Sequence, residues 1–348
     1  MTVLGLGQMG LVCAGTLASP EGGRGEGPGR LDRPVRVRLW GHSGEEAGHI
    51  AQSRRSPRLE GFALPDRVEI ALRDADALRD TSLIVSAIPV QFSREVWTRL
   101  APLVPPGVPV VSVAKGIETS TLLRPTQVIA DVLRAGGRDT RPRSYACLSG
   151  PTIAAELARC LPAAMVAASE DPGLAGDTQR LFGCSWLRVY THSDLVGVEL
   201  AGAAKNVVAI AAGVLDGLRA GNNAKSALLA RGLAEITRLG VALGAQRETF
   251  FGIAGVGDLA TSCFSPEGRN RSCGEALGRG EALSDYLRRT PFVVEGVQTT
   301  RAVLALARLH GVDVPIMQAV HSVLFEGVDP LDAIGGLMAR EPKPERVG

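Results

Sequence analysis

The sequence predicts an α/β protein in two parts, a parallel-sheet amino-terminal domain and an all-helical carboxyl-terminal domain. Three features carry that expectation. Through the first half, short apolar runs alternate with helical or turn-rich segments, the rhythm of βαβ units. From about residue 193 the strand-like runs stop, and apolar residues recur at helical spacing over 194–243, 299–310 and 315–325. The 348 residues also suit two domains or one large one, since domains commonly run to ~100–200 residues each. The expected division is a sheet domain over 1–190, a helical domain over 191–339 and a fraying polar tail over 340–348.

Taken in order, strands are expected at 2–6, 35–40, 82–88 and 108–113. Between the first helix and the second strand lies SPEGGRGEGPGRLDRP, at 19–34. This reads as a surface insertion, because such a stretch cannot bury enough apolar area to order itself. Glu21, Glu26 and Asp32 offset its arginines, which argues against a basic phosphate-binding arm.

Gly5-Leu6-Gly7-Gln8-Met9-Gly10 follows the first strand and opens the first helical run, the context that a dinucleotide fingerprint requires. The hexapeptide alone is weak evidence; its placement makes it strong. Glycines permit a tight turn and close backbone approach, while a helix start offers free N–H groups and a positive dipole to a pyrophosphate. At the end of the second strand, Leu39-Trp40-Gly41-His42 supplies neither the acid that binds NAD ribose hydroxyls nor an arginine for the extra phosphate of NADP. His42, Arg54 and Arg55 are the candidates for that phosphate, and the choice between NAD and NADP stays open.

Thirty-eight Lys and Arg against 36 Asp and Glu leave no global field that would recruit nucleic acid or an acidic membrane face. Any anion site must be local. Cys13, Cys147, Cys160, Cys184, Cys263 and Cys273 show no C-x-x-C and no dense spacing, so reduced thiols are expected, with neither disulfides nor a metal site. The strand-like start at Val3 leaves no room for a signal peptide, and the expected location is cytoplasmic.

Lys205 sits within LVGVELAGAAKNVVAIAAGVL, among the most apolar stretches of the chain. Its polar exceptions are Glu199, Lys205 and Asn206. A buried ammonium without a partner drops its pKa or finds a carboxylate, so this lysine is the first catalytic candidate. A transmembrane span has the right length, about 20 residues, but a Glu, a Lys and an Asn within it are costly in lipid. Snorkelling needs a nearby surface, and Ala203, Ala204, Val207 and Val208 offer little polar cover.

Three further segments carry polar residues that packing does not require. Val113-Ala114-Lys115-Gly116 places a lysine at the carboxyl end of a strand, where open α/β sheets bind ligands. Ser149-Gly150-Pro151-Thr152 reads as a loop entering a helix with Pro at its first position. Gly255-Val256-Gly257-Asp258 and Gly268-Arg269-Asn270-Arg271 set an acid and basic residues around a loop containing Ser262. Each alone is as well explained by a cap, a turn or a surface charge; their joint occurrence with Lys205 is not.

With these blocks in place, the chain resembles bacterial-type NAD(P)-dependent glycerol-3-phosphate dehydrogenases over nearly its whole length. The resemblance rests on GLGQMG, VAKG, SGPTIAAE, VELAGAAKNVVAIAAGVLDGL, NNAKSALLARGLAEITRLG, GVGDLATSCFSPEGRNR and VVEGVQT, in that order. It implies a Rossmann-like amino-terminal domain, a helical carboxyl-terminal domain and an active site in the cleft between them. Carried over by position, Lys205 becomes the proton donor and acceptor, with Asn206 and Asp258 beside it and Lys115 touching substrate and cofactor. Gly150, Thr152, Ser262 and Gly268 line the substrate, and Arg269 with Asn270 holds its phosphate. Gly5, Gly7, Gln8, Met9, Gly10, His42, Phe92, Ala154, Arg269, Val293 and Glu295 face the cofactor.

The chain departs from the family pattern at four places. Gln8-Met9 stands where Ser-Trp or Asn-Trp is common, Gly41 where an Arg often follows the Trp, Gly268 where a Ser precedes the Arg-Asn pair, and Ser262 where Thr is usual. The implied activity is reversible NAD(P)H-dependent reduction of dihydroxyacetone phosphate to sn-glycerol 3-phosphate, supplying glycerophospholipid synthesis. Two alternatives stand beside it: a related Rossmann hydroxyacid dehydrogenase with a catalytic Lys-Asn pair, and a nicotinamide-nucleotide sensor without turnover. The expected partner is a small phosphorylated three-carbon substrate, with no nucleic acid and no membrane span. The oligomeric state is open, a homodimer among the options.

Overall fold

The computed structural model describes residues 1–19, 36–137, 141–342 and 344–345. Most of the insertion expected at 19–34 lies outside the described residues; Ser19 closes the first helix, its N–H bonded to the Thr16 carbonyl. The chain divides into two compact units, one of residues 1–114 and 125–195, the other of 115–124 and 196–348.

The first unit runs β1 (Thr2–Leu4), α1 (Gln8–Ala18), β2 (Val37–Trp40), α2 (Gly44–Ser53), β3 (Val68–Ala71), α3 (Asp74–Leu78), β4 (Ile84–Ser86) and α4 (Val90–Leu100). It continues through β5 (Val110–Ser112), α5 (Pro125–Ala135), β6 (Tyr145–Ser149), α6 (Ala154–Ala158), β7 (Ala163–Ser169), α7 (Pro172–Phe182) and β8 (Leu187–His192). The strands form one sheet in the order β3-β2-β1-β4-β5-β6-β7-β8. Alternation of side chains along each strand gives the sheet two apolar faces. Val3, Leu39, Val85 and Val111 serve one core, and Leu4, Trp40, Ile84 and Val110 the other.

The parallel-sheet expectation holds from β3 to β6, but β7 runs antiparallel to β6 and carries β8 parallel to itself. β3, β6, β7 and β8 extend the sheet beyond the four strands expected. The helix expected to open at Pro151 begins instead at Ala154, with Ile153 as its cap, and is five residues long.

The second unit is helical. It comprises α8 (Leu195–Gly217), α9 (Gly221–Ala242), α10 (Asp258–Phe264), α11 (Arg269–Gly278), α12 (Leu283–Arg289), α13 (Glu295–Leu309), α14 (Pro315–Phe325) and α15 (Pro330–Met338). The helical periodicity over 194–243 resolves into two helices, broken where Arg219 and Gly221 take φ of 55° and 85°. Only α8 among the described residues is long and apolar enough to cross a membrane, and most of it is buried. Arg340, at the start of the expected tail, pairs with Asp313 at 2.8 Å.

A single cut near residue 190 does not express one feature of this division. Residues 115–124 follow β5 in sequence yet belong with the helices, where Ile117 joins the helical core. At the end of that excursion Arg124 forms a buried ion pair with Glu199 of α8, so the second polar exception in the apolar helix has its counter-charge.

Candidate active site

The glycines of the fingerprint differ in what demands them. Gly5 has φ of +121°, a conformation L residues rarely adopt, and a Cβ there would lie 2.7 Å from the Ala87 carbonyl oxygen. At Gly10 a Cβ would lie 1.9 Å from the Gly5 carbonyl oxygen, so α1 could not start so close to the turn. Gly7 meets neither constraint: its φ is −67° and nothing lies within 4 Å of a Cβ built on it. The open space is beside the first turn of α1, where backbone N–H groups lack intrahelical partners and no side chain caps them. These residues fit a pyrophosphate approaching the backbone.

Around that turn, Gln8 donates to the Arg58 carbonyl at 2.8 Å, and Met9 packs on the sheet core. At the end of β2, His42 Nδ1 lies 3.4 Å from Arg99 Nη1. Arg99 uses Nε and Nη2 on the two oxygens of Asp74, 2.6 Å each, and Asp74 also accepts from the Trp40 indole at 3.1 Å. The Asp74 carboxylate beside this strand end is therefore engaged by the chain itself. Sequence reading missed Arg99, which arrives from α4. Phe92 on that helix is half-exposed. In the loop after β6, Gly150 has φ of 142° and its carbonyl accepts from Thr152 Oγ1 at 3.1 Å; Ala154 opens α6.

In the second unit, one carboxylate joins two lysines. Asp258 is 1% exposed; its Oδ1 accepts from Lys205 Nζ at 2.7 Å and its Oδ2 from Lys115 Nζ at 2.7 Å. Lys205 also donates to Ser262 Oγ, one turn further along α10. A π-helical turn, Ile253–Gly257, delivers Asp258 to the start of α10. It packs so tightly that a Cβ on Gly255 would sit 2.1 Å from the Phe250 carbonyl oxygen. Such turns within helices recur at functional sites.

Asn206, next to Lys205, donates to the Lys115 carbonyl at 3.1 Å and accepts from Asn270 Nδ2 at 2.9 Å. Asn270 in turn accepts from the Gly296 N–H at 2.9 Å. This relay ties the 115–124 segment, α8, α11 and the start of α13 together, so both asparagines have positioning work within the chain. Gly268 caps α11 with its backbone alone. Arg269 Nη1 reaches the Val293 carbonyl at 3.4 Å, and Glu295 opens α13.

Charge in this centre is unequal. Two ammoniums share one carboxylate, leaving an excess of positive charge that suits an anionic ligand. Burial pushes the Lys115 ammonium down to about 8, against the attraction of Asp258, while Lys205 adds repulsion. Burial likewise raises the Glu295 carboxyl; Arg269, Lys115 and Lys205 oppose that rise.

A glycine turn shaped for a dinucleotide and an acid-paired lysine centre on a helical unit together define an NAD(P)-dependent dehydrogenase. Two family models cover the chain: NAD-dependent glycerol-3-phosphate dehydrogenase N-terminus over residues 1–175 and C-terminus over residues 194–335. The chain is 42% identical to glycerol-3-phosphate dehydrogenase [NAD(P)+] 2 of Mycobacterium tuberculosis over 346 residues, 99% of this chain and 98% of that one. The crystal structure of glycerol-3-phosphate dehydrogenase from Coxiella burnetii matches with a TM-score of 0.87 and 32% identity, over 97% of this chain and 98% of that chain. The chain belongs to the NAD-dependent glycerol-3-phosphate dehydrogenase family. A ketopantoate reductase from Ralstonia eutropha, 14% identical with a TM-score of 0.56 over 96% of this chain and all of that one, shares the fold alone.

Proposed function

We propose that this chain reduces dihydroxyacetone phosphate reversibly to sn-glycerol 3-phosphate, with Lys205 as proton donor and acceptor. The observation that carries the reading is the buried Asp258 held between Lys205 and Lys115. An ammonium has three donors. Asp258 and Ser262 accept two from Lys205, and the third is the one to meet the substrate carbonyl. As that oxygen becomes an alkoxide, Lys205 stabilises the charge and gives up the proton; in reverse it takes the proton from the hydroxyl. Asp258, 2.7 Å from Lys205 Nζ, supplies the counter-charge for that buried side chain.

The bound nicotinamide, NAD or NADP, supplies the hydride. The fingerprint glycines would hold its pyrophosphate, with Gln8, Met9, His42, Phe92, Ala154, Val293 and Glu295 as its further contacts. Arg269 would clamp the substrate phosphate through the planar fork of its guanidinium, assisted by Lys115. Gly150, Thr152, Ser262 and Gly268 complete the substrate contacts. We place this activity in the cytoplasm, supplying glycerophospholipid synthesis.

The test compares dihydroxyacetone phosphate with unphosphorylated ketoacids, each with NADH and with NADPH, following loss of the reduced cofactor by absorbance. Turnover confined to the phosphorylated ketone supports the reading. Preference for a ketoacid favours the related hydroxyacid dehydrogenase, and cofactor binding with no turnover favours the nucleotide sensor.

A further inference from the structure

The block NNAKSALLARG has no part in the site just described, yet it contains Lys225, buried near the start of α9. A cation there faces the positive end of the helix dipole and loses its hydration, so its placement needs a cause. The cause is Asp216, near the end of α8. Its two oxygens accept from Lys225 Nζ at 2.8 and 2.7 Å, and Arg271 pairs with it ionically, Nε 2.6 Å from Oδ2 without hydrogen-bond alignment, while Arg271 Nη1 lies 3.4 Å from Glu275 on its own helix. Lys225 also stands over the Phe264 ring, 4.8 Å from its centroid. One carboxylate thus serves two cations again, as Asp258 does, but with its own set of residues.

The elements joined here are those that carry the substrate-side groups. Asp216 lies eleven residues after Lys205 on α8, about three turns and nearly the same face. Phe264 ends the helix that begins with Asp258 and carries Ser262. Arg271 is two residues beyond Arg269 in the first turn of α11. Below that turn α8 and α11 are in backbone contact: a Cβ on Gly213 would lie 1.9 Å from the Arg271 carbonyl oxygen, and one on Gly274 would lie 1.9 Å from that of Ile210. The two helices therefore have little room to shift, and the contact continues to Gly217, where a Cβ would lie 2.4 Å from the Glu275 carbonyl oxygen, so the ionic cluster lies alongside a close backbone contact.

We propose that Asp216, acting through Arg271 and Lys225, is a positioning residue that fixes the first turn of α11, so that Arg269 and Asn270 meet the substrate phosphate at a set distance from Lys205. The proposal rests on the reading of the substrate as a phosphorylated three-carbon ketone. Its test is Asp216→Asn in the full chain, which keeps size and removes charge. The expected result is a KM for dihydroxyacetone phosphate raised about tenfold or more with kcat within about threefold, the pattern of lost binding common to ground and transition states. Competitive inhibition by inorganic phosphate weakens by a similar factor, the dissociation constant for NADH is unchanged, and Asp216→Glu recovers part of the loss.

A merely structural role would instead lower kcat and thermal stability together and would not single out phosphate. An unchanged KM and phosphate inhibition constant in folded Asp216→Asn overturns the proposal. Should that variant fail to fold, Arg271→Gln removes only the α11 half of the cluster; it must raise the KM in the same way, and an unchanged KM there is equally fatal. Wild-type chain without any turnover of dihydroxyacetone phosphate overturns both this proposal and the reading beneath it.

Discussion

The two units present their candidate ligand groups by different physical means. In the first, backbone does the work: Gly5 turns, Gly10 lets α1 start against the turn, and Gly7 leaves space open beside the helix amides. In the second, charged side chains do it, with Asp258 between Lys115 and Lys205. A backbone cradle must be built from neighbours in sequence. A charge centre can draw on distant segments, here separated by 143 residues for Lys115 and Asp258 and by 53 for Lys205 and Asp258. The first leaves a motif; the second leaves only an anomaly, an unexplained charge in an apolar run.

The sharpest way to break this contrast is Lys205→Ala. If proton transfer is concentrated in one side chain, kcat falls by on the order of 10²–10⁴, the usual scale of general acid–base help, while NADH titrated by fluorescence binds as in wild type. Asp258 keeps Lys115 as a partner, so the fold persists. Turnover close to wild type would refute the assignment.

Glu235 separates burial from pairing within the second unit. It is as buried as Asp258, but the hydrogen bonds it accepts come from the Ile316 and Met317 N–H groups at the start of α14, 2.8 and 3.2 Å away. Burial raises its carboxyl to about 7; those N–H bonds and Arg238 resist the rise, and Asp313 adds to it. With the folded-state value above the ordinary 4.5, the native state holds the proton more tightly than the unfolded chain. Its contribution to stability is then full below about 4.5, is lost as pH rises toward 7, and stays lost above. Urea unfolding of wild type and Glu235→Gln at pH 5 and pH 8 should show the wild type losing on the order of 1–3 kcal/mol more across that interval. Equal losses would mean that the helix start holds the carboxylate as well as water does.

How far the sequence made all this readable follows the same physics. Lys205 stood out because an ammonium among Ala and Val has no bland explanation, and Glu199 stood out likewise; its partner Arg124 could not be foreseen, since contact across 75 residues leaves no local trace. Asp216 and Lys225 sit at helix ends, where charges are ordinary, and so drew no notice. Among the strands, β7 reads Ala-Ala-Met-Val-Ala-Ala-Ser, and alanine is depleted in strands, so only the sheet around it explains its conformation. β8 does carry a period-two signal, with Leu187 and Val189 buried and Arg188 and Tyr190 exposed, but it is short and abuts the strong helical pattern of α8. Pro151 misled in the other direction: it fits a helix start, but α6 opens three residues later.

For the backbone cradle the matching experiment is Gly7→Ala. A methyl group there meets no protein atom and needs no change of φ, so thermal stability should be unchanged. It would nevertheless occupy the space that a pyrophosphate needs, and the dissociation constant for NADH should rise by roughly tenfold. Unaltered binding would show that the open space beside α1 is not where the phosphates lie. Paired with Lys205→Ala, this variant gives opposite signatures: binding lost with chemistry intact in one, chemistry lost with binding intact in the other.

The smallest effect concerns Lys115, where burial and the opposing Asp258 leave the ammonium at about 8. A lysine held below its ordinary 10.5 loses its proton earlier as pH rises, so the free enzyme loses one of the positive charges around Asp258. A phosphorylated substrate then meets less positive charge, while an uncharged ketone is nearly indifferent. kcat/KM for dihydroxyacetone phosphate, which reports groups in the free enzyme, should therefore fall as pH rises through about 8. Lys115→Arg, charged throughout this range, should lower the plateau but erase that limb. A limb that persists unmoved in the arginine variant would assign it to another group, and would mean that Lys115 keeps its proton by sharing Asp258 more fully than its burial allows.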